Sequence, residues 1–172
     1  GMILALEGFE QFRNLGQEHR LGGVINVSVV KQVGPVLAAV MVAGRVGGAL
    51  AAELGTMRVT EQLDALRAMA ADPIPYLVVP RFVACVVMTP LLTIYSDILG
   101  VWGGWLITVN FNHVSPYGYW EFTRSFVDWW EPTSGLIKSV FFGGSIGLIA
   151  CYKGFNCQAG ASGVGRAATE AF

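Results

Sequence analysis

The one pattern that places a nucleophile among glycines is Gly143-Gly144-Ser145-Ile146-Gly147, a literal GxSxG. Such a serine works in acyl transfer when it sits on a sharp strand-to-helix turn with a histidine and an acid beside it. Here the motif lies inside an apolar run, and its glycines read equally well as a small-residue row for close helix packing. His19 and His113 fall in polar segments away from Ser145. An intramembrane serine hydrolase using Ser145 is therefore the alternative reading. Gly160-Ala161-Ser162-Gly163-Val164-Gly165 lacks the lysine that a phosphate-cradling loop requires, so no ATP site is expected on this chain. Cys85, Cys151 and Cys157 have no CxxC spacing and too few histidines near them for a metal centre, and they read as small buried residues. The expected reading is no catalytic set, no metal and no cofactor. Arg45 and Glu53 are the charges that stand out, because they interrupt a run otherwise free of them. An arginine near the middle of such a run must face protein, water or an anionic group. Arg45 and Glu53, eight residues apart on loosely the same helical face, are the candidates for a polar cavity wall that meets a substrate.

The elements that would position these residues are apolar helices. The chain has 172 residues, of which 53% are hydrophobic and 13% charged, with mean hydropathy +0.54. That composition belongs to a membrane protein, and a formal charge of −1 argues against a nucleic-acid partner. The expected fold class is all-α: a polytopic helical membrane protein with about three spans, a cytosolic helix and an interfacial amphipathic helix, in one membrane domain over 1–172. The spans are expected at about 33–54, 77–109 and 134–152, each long enough to cross at 1.5 Å per residue. Pro35 fits near the start of the first, and Gly44 with Gly48 forms a row that admits another helix. In the second, Pro90 should kink the helix, Gly100 and Gly104 repeat the small-residue row, and Asp97 should be paired or hydrated. Lys138 near the end of the third can snorkel. Met2–Leu6 reads as the tail of a preceding span that this chain lacks, and residues 1–32 are otherwise too polar for hydrocarbon.

Between the first two spans lies a polar, helix-prone stretch at about 59–71. Val59, Leu63, Leu66 and Ala70 share one stripe while Glu61 and Asp64 point the other way, and Asp72-Pro73 ends the helix. A second amphipathic helix is expected at about 117–130, where Phe122, Phe126, Trp129 and Trp130 follow helical spacing opposite Glu121, Arg124 and Asp128, the pattern of a helix in the headgroup region. Arg58, Arg67, Arg81, Lys153 and Arg166 place the 59–71 stretch on the cytoplasmic side by the positive-inside rule, against Arg13, Arg20, Lys31 and Arg124 opposite.

Five stretches in order, the first two overlapping at Glu53–Gly55, resemble the MlaE-type permeases of the Mla and Mce lipid ABC transporters. They are GPVLAAVMVAGRVGGALAAELG from Gly34, ELGTMRVTEQLDAL from Glu53, the DPI-YLVVPR continuation from Asp72, GVWGG from Gly100 and GASGVGRAATEAF from Gly160. The resemblance covers nearly the whole chain and implies that the chain lacks the family's N-terminal interfacial helix, most of its first span and its last span. It further implies a multi-pass permease of the bacterial inner membrane, paired with a second permease copy, that binds phospholipid and exchanges it with a periplasmic MCE-domain protein. A cytoplasmic ABC ATPase would drive it. The 59–71 stretch then matches the family's coupling helix, with Val59, Leu63 and Leu66 as anchors in an ATPase groove and Glu61, Gln62 and Asp64 available to its rim. A surface helix resting on the membrane interface is the plainer reading of the same stripe, and a purely structural membrane subunit is the third reading of the chain.

Overall fold

In the computed structural model, residues 2–14, 21–70, 72–110, 115–158 and 160–172 are described, and every regular element among them is helical. The α-helices are α1 (Met2–Asn14), α2 (Leu21–Ser28), α3 (Gly34–Val42), α4 (Gly48–Val59), α5 (Gln62–Ala68), α6 (Val79–Asn110), α7 (Pro116–Phe126), α8 (Trp130–Phe155) and α9 (Ala161–Ala171), joined in places by π-helical turns at Val29–Val33, Ala43–Gly47 and Ile74–Val78. Two of these turns lie beside prolines, Pro35 for the first and Pro75 with Pro80 for the third. A proline offers no amide to the carbonyl four residues back, and widening to i→i+5 bonding re-registers the ladder around the gap.

Three helical runs are long and apolar enough to cross a membrane: Gly22–Val59, Ile74–Asn110 and Trp130–Phe155. The chain is thus an all-α, polytopic membrane protein. Each run extends past its expected bounds, and the first does so at its start against expectation: residues 22–30 lie within the stretch read as too polar for hydrocarbon, yet they carry no charge and include Val24, Ile25, Val27, Val29 and Val30. At 1.5 Å per residue the first two reach roughly 55 Å, well beyond a hydrocarbon core of about 30 Å.

The chain divides into two compact units, whose boundaries fall inside the long helices. The first comprises Gly1–Leu37 and Leu91–Lys138. Its apolar centre is Ala5, Ile25 and Val29, flanked by Leu4, Phe9 and Ile107. Gly100 meets Val29, and Gly104 lies against Ile25, Asn26 and the Tyr119 hydroxyl, so the small-residue row on α6 receives α2 and α7. Tyr119 is 1% exposed, and its hydroxyl donates to Asn26 Oδ1 at 2.9 Å while Asn26 Nδ2 donates to Thr123 Oγ1 at 2.8 Å. Buried polar groups require such partners, and this chain of bonds fixes α7 on α2. Lys31 pairs with Glu131 at 2.9 Å. The Lys31 carbonyl accepts from Lys138 Nζ at 3.3 Å.

The stretch expected as one helix over 117–130 is two elements. α7 starts with Ser115 as its cap and ends at Phe126, with Val127 extended. Asp128 then accepts from the Trp129 amide at 2.8 Å and its carbonyl from the Glu131 amide at 3.0 Å, opening α8. Asp128-x-x-Glu131 followed by Pro132 is a helix-start signature, and it outweighs the aromatic periodicity that runs across it. Trp129 and Trp130 therefore belong to the turn and to α8. The side chains of Phe122 and Phe126, together with Phe111, His19 and His113, lie outside the described residues.

The second unit comprises Ala38–Pro90 and Ser139–Phe172. The small face of α4 and its preceding turn receives α9: Gly47 faces the Ala171 carbonyl, Gly48 the Ala168 carbonyl and Gly44 the Phe172 ring. Gly143 and Gly147 of α8 press on α6 at Cys85, Thr89 and Phe82, and Gly154 presses on α4 at Ala51 and Leu54. α6 runs without interruption through Pro90. The Thr89 hydroxyl donates to the Cys85 carbonyl at 2.7 Å rather than to the Val86 carbonyl that Pro90 frees. A separate apolar cluster of Leu54, Leu63, Leu77 and Cys151, with Met57, Leu66, Val78 and Phe155 around it, gathers the ends of α4 and α8 and the Ile74–Val78 turn against α5.

Candidate functional site

α5 is a seven-residue helix clamped between two left-handed residues, Glu61 at φ 60° and Ala70 at φ 57°. On entry, Thr60 closes α4: its amide and its hydroxyl both donate to the Thr56 carbonyl, at 3.0 and 2.9 Å. The Glu61 amide then donates to the Arg58 carbonyl at 3.1 Å, and the Glu61 carbonyl receives the Asp64 and Ala65 amides that start α5. On exit, the Ala70 amide donates to the Arg67 carbonyl at 3.0 Å, a left-handed helix end. Asp72 Oδ1 accepts from the Ile74 amide at 3.3 Å, so Asp72 caps the next helix with Pro73 at its first position. The expected single helix over 59–71 is thus broken at Thr60-Glu61, and Val59 is the last residue of α4.

This geometry narrows the expected anchor stripe. Leu63 is 4% exposed and Leu66 half-buried, and both pack into the chain's own cluster with Leu54, Leu77 and Cys151. Leu63 so placed offers almost no surface, while Leu66 and Val59 stay part-exposed. The backbone reversal at Glu61 turns the α5 stripe back onto the ends of the long helices. Exposed instead are Glu61, Gln62, Asp64, Ala65, Arg67, Ala68 and Met69, with Asp64 and Arg67 paired at 3.2 Å. α5 therefore presents a polar surface with one large apolar side chain, Met69, and holds it by burying Leu63.

Arg45 and Glu53 do not converge. Arg45 is exposed on the Ala43–Gly47 π turn and makes no hydrogen bond or ion pair among the described residues. Glu53 reaches Arg81 Nη2 at 3.2 Å, while Arg81 Nη1 is buried without a partner. Neither Arg45 nor Glu53 lines the three main cavities. Ser145 sits mid-helix, exposed, with its hydroxyl donating to the Phe141 carbonyl at 2.9 Å, and its flanking Gly143 and Gly147 are occupied in packing against α6. A continuous helix cannot form a nucleophile elbow. Among the described residues no His, Cys, Asp or Glu cluster could hold a metal ion.

Three constellations escaped the sequence reading. The Lys31–Glu131–Lys138 cluster joins residues 100 and 107 positions apart, beyond the reach of any local pattern. The Tyr119–Asn26–Thr123 network joins residues nearly a hundred positions apart, which no local pattern reveals. In the second unit, the Glu170 carboxylate receives Lys153 at 2.8 Å and Arg166 at 2.6 Å, and hydrogen bonds from these two cations pull its carboxyl from the ordinary value down to about 2. Lys153, Arg166 and Glu170 line a 220 Å³ polar cavity with Asn156 and Gln158.

The whole chain, residues 1–172, matches the family model Permease MlaE. It is 43% identical over 99% of its length to a probable ABC transporter permease protein of Rickettsia prowazekii (strain Madrid E), of which it covers 66%. It is 37% identical to the intermembrane phospholipid transport system permease protein MlaE of Haemophilus influenzae, again over 99% of this chain and 66% of the relative. It is 36% identical to the chloroplastic protein TRIGALACTOSYLDIACYLGLYCEROL 1 of Arabidopsis thaliana, with 99% of this chain and 49% of that protein covered. The chain thus spans just under two thirds of the length of the bacterial relatives. The chain belongs to the MlaE permease family.

Proposed function

We propose that this chain is the permease subunit of an ATP-driven phospholipid transporter, a multi-pass protein of the bacterial inner membrane that passes lipid to or from a periplasmic MCE-domain carrier. A second permease copy completes the lipid path, and a cytoplasmic ABC ATPase supplies the work. The family match and the names of the Rickettsia and Haemophilus relatives support this reading. The observation that carries the coupling role is α5, a short exposed helix fixed at both ends by left-handed turns and anchored by Leu63. A helix held this way moves with the long helices, so force applied to its outer face reaches them. Docking uses the exposed Glu61, Gln62, Asp64 and Met69, with Val59, 37% exposed, at the margin. Arg45, exposed at a π turn within an apolar run, is the substrate-side residue for an anionic lipid group, while Glu53 holds Arg81 in place.

The experiment is co-purification of the full-length protein with the ATPase and measurement of ATP-dependent lipid movement in proteoliposomes. Glu61→Lys with Asp64→Lys should leave folding intact and reduce both complex recovery and lipid movement at least tenfold. Unchanged recovery and transport in that double variant would refute the docking face.

A further inference from the structure

The second unit holds a polar cavity of 220 Å³ between the end of α8 and α9, with Lys153, Asn156, Gln158, Arg166 and Glu170 in its lining. Its donors outnumber its acceptors. Glu170 takes one hydrogen bond from Lys153 Nζ and one from Arg166 Nε, which leaves the lysine's other N–H groups and both Nη groups of the arginine without a partner among the described residues. Two cations therefore stand against one carboxylate. The cavity also shares an end of the unit with α5. α9 runs antiparallel to α4, with Phe172 at Gly44, Ala168 at Gly48 and Val164 at Gly55, so it begins where α4 gives way to α5. Phe155, in the last turn of α8, packs into the cluster that buries Leu63.

We infer that this cavity is a socket for an acidic side chain of the cytoplasmic partner that docks on α5, a second point of attachment at the same end of the unit. The inference rests on the docking reading of α5 and adds what the partner must present: an Asp or Glu carboxylate, beside the groups that meet Glu61, Gln62, Asp64 and Met69. A carboxylate suits the unpartnered donors, because the two Nη groups of an arginine bind two carboxylate oxygens side by side. A free anion suits the cavity less well. The lining carries a small net charge, opens to solvent and already holds a carboxylate of its own, so an isolated ion gains little there. A side chain delivered by a partner already seated on α5 arrives at high effective concentration, and a modest contact then suffices.

The test measures the dissociation constant of the ATPase for the full-length protein in nanodiscs, at low and at high salt. Arg166→Gln should weaken binding about fivefold at low salt and by less at high salt. Glu170→Gln frees both cations from their internal partner and should tighten binding about threefold. The opposite signs decide the matter, because a clamp that merely joins α8 to α9 is weakened by both substitutions. Weaker binding in Glu170→Gln, or native binding in both variants, would overturn the inference. Arg166 is 70% exposed, so its replacement leaves the packing intact; if Arg166→Gln nevertheless fails to fold, Glu170→Gln decides alone, tighter binding supporting the socket and any other result overturning it. Glu61→Lys with Asp64→Lys separates this inference from the reading it rests on. If that double variant loses the ATPase while both cavity variants bind as the native protein does, the socket falls and the docking face stands. Absence of any complex with the native protein overturns both.

Discussion

Leu63→Ala should release α5 from the protein without unfolding the long helices. The substitution deletes three carbons from a side chain that is 4% exposed and packs with Leu54, Leu77 and Cys151. At about 0.8 kcal/mol per buried methylene the transfer loss is roughly 2.4 kcal/mol. A cavity that does not collapse raises the total toward about 5 kcal/mol. Water is the proper reference, because Glu53, Arg81 and Lys153 carry charge beside this cluster and mark it as lying near the helix ends. The remaining ties of α5 are half-buried Leu66 and the hydrogen bonds at Glu61 and Ala70, which a seven-residue helix cannot convert into independent stability. Local opening of residues 62–69 should therefore become about 60-fold more frequent, from 2.4 kcal/mol at 1.36 kcal/mol per decade. Hydrogen–deuterium exchange of that peptide in detergent or nanodiscs measures it, with the 48–59 peptide of α4 as internal reference. Asp64→Lys, on the exposed face, should leave the exchange unchanged because it breaks only an exposed ion pair worth roughly 0.5 kcal/mol. An acceleration below about threefold in Leu63→Ala would refute the anchoring role. An equal acceleration in α4 would show that Leu63 supports the whole unit instead.

Ala70→Gly should raise stability by about 0.5–1 kcal/mol, since Ala70 holds φ 57° and glycine removes the left-handed penalty at some cost in chain entropy; a lower melting temperature would contradict that backbone geometry. Gly154→Ala places a Cβ 2.6 Å from Leu54 Cβ and 3.0 Å from the Ala51 carbonyl, so it should destabilise by about 1–3 kcal/mol, whereas Gly165→Ala meets nothing within 4 Å and should be neutral or stabilising. Comparing the two melting curves separates packing from propensity, and equal effects would refute the close α4–α8 approach. Glu170 has its carboxyl lowered to about 2 by Lys153 and Arg166, so its contribution is fully present above the ordinary glutamate value of 4.5 and is lost as pH falls from there toward 2. Glu170→Gln should flatten that acid limb, and salt should shrink the difference because the site is solvent-exposed; an NMR midpoint for Glu170 near 4.5 would remove the bridging geometry.

Membrane class, helical fold and the three long runs were legible because each rests on a property that accumulates along the chain. Apolar content over twenty or more residues survives small errors in boundary. What the amphipathic stripe meets was less legible. The stripe Val59, Leu63, Leu66 was correctly seen as one-sided, but periodicity specifies a face without saying what meets it. The answer depended on Glu61, a single residue in a left-handed conformation that nothing in its side chain announces. Aromatic spacing over 117–130 failed for a related reason, since the capping geometry of Asp128 decides where the helix starts regardless of the residues it divides.

The small-residue rows behaved differently again. Gly44, Gly47 and Gly48 were open in sequence to a helix from another subunit, yet within this chain α9 already occupies them, and Gly143 and Gly147 of the GxSxG pattern are taken up by α6. A row of glycines marks the capacity for close approach, and a nearby segment of the same chain claims it before any partner can. Among the described residues, polar groups without partners remain at exposed Arg45 on its π turn, at the Arg81 Nη1 atom behind Glu53, and at Asp97 Oδ1 against Gly34. Each is a polar group that makes no hydrogen bond among the described residues, and a charge within an apolar run is tolerated only where protein or water meets it.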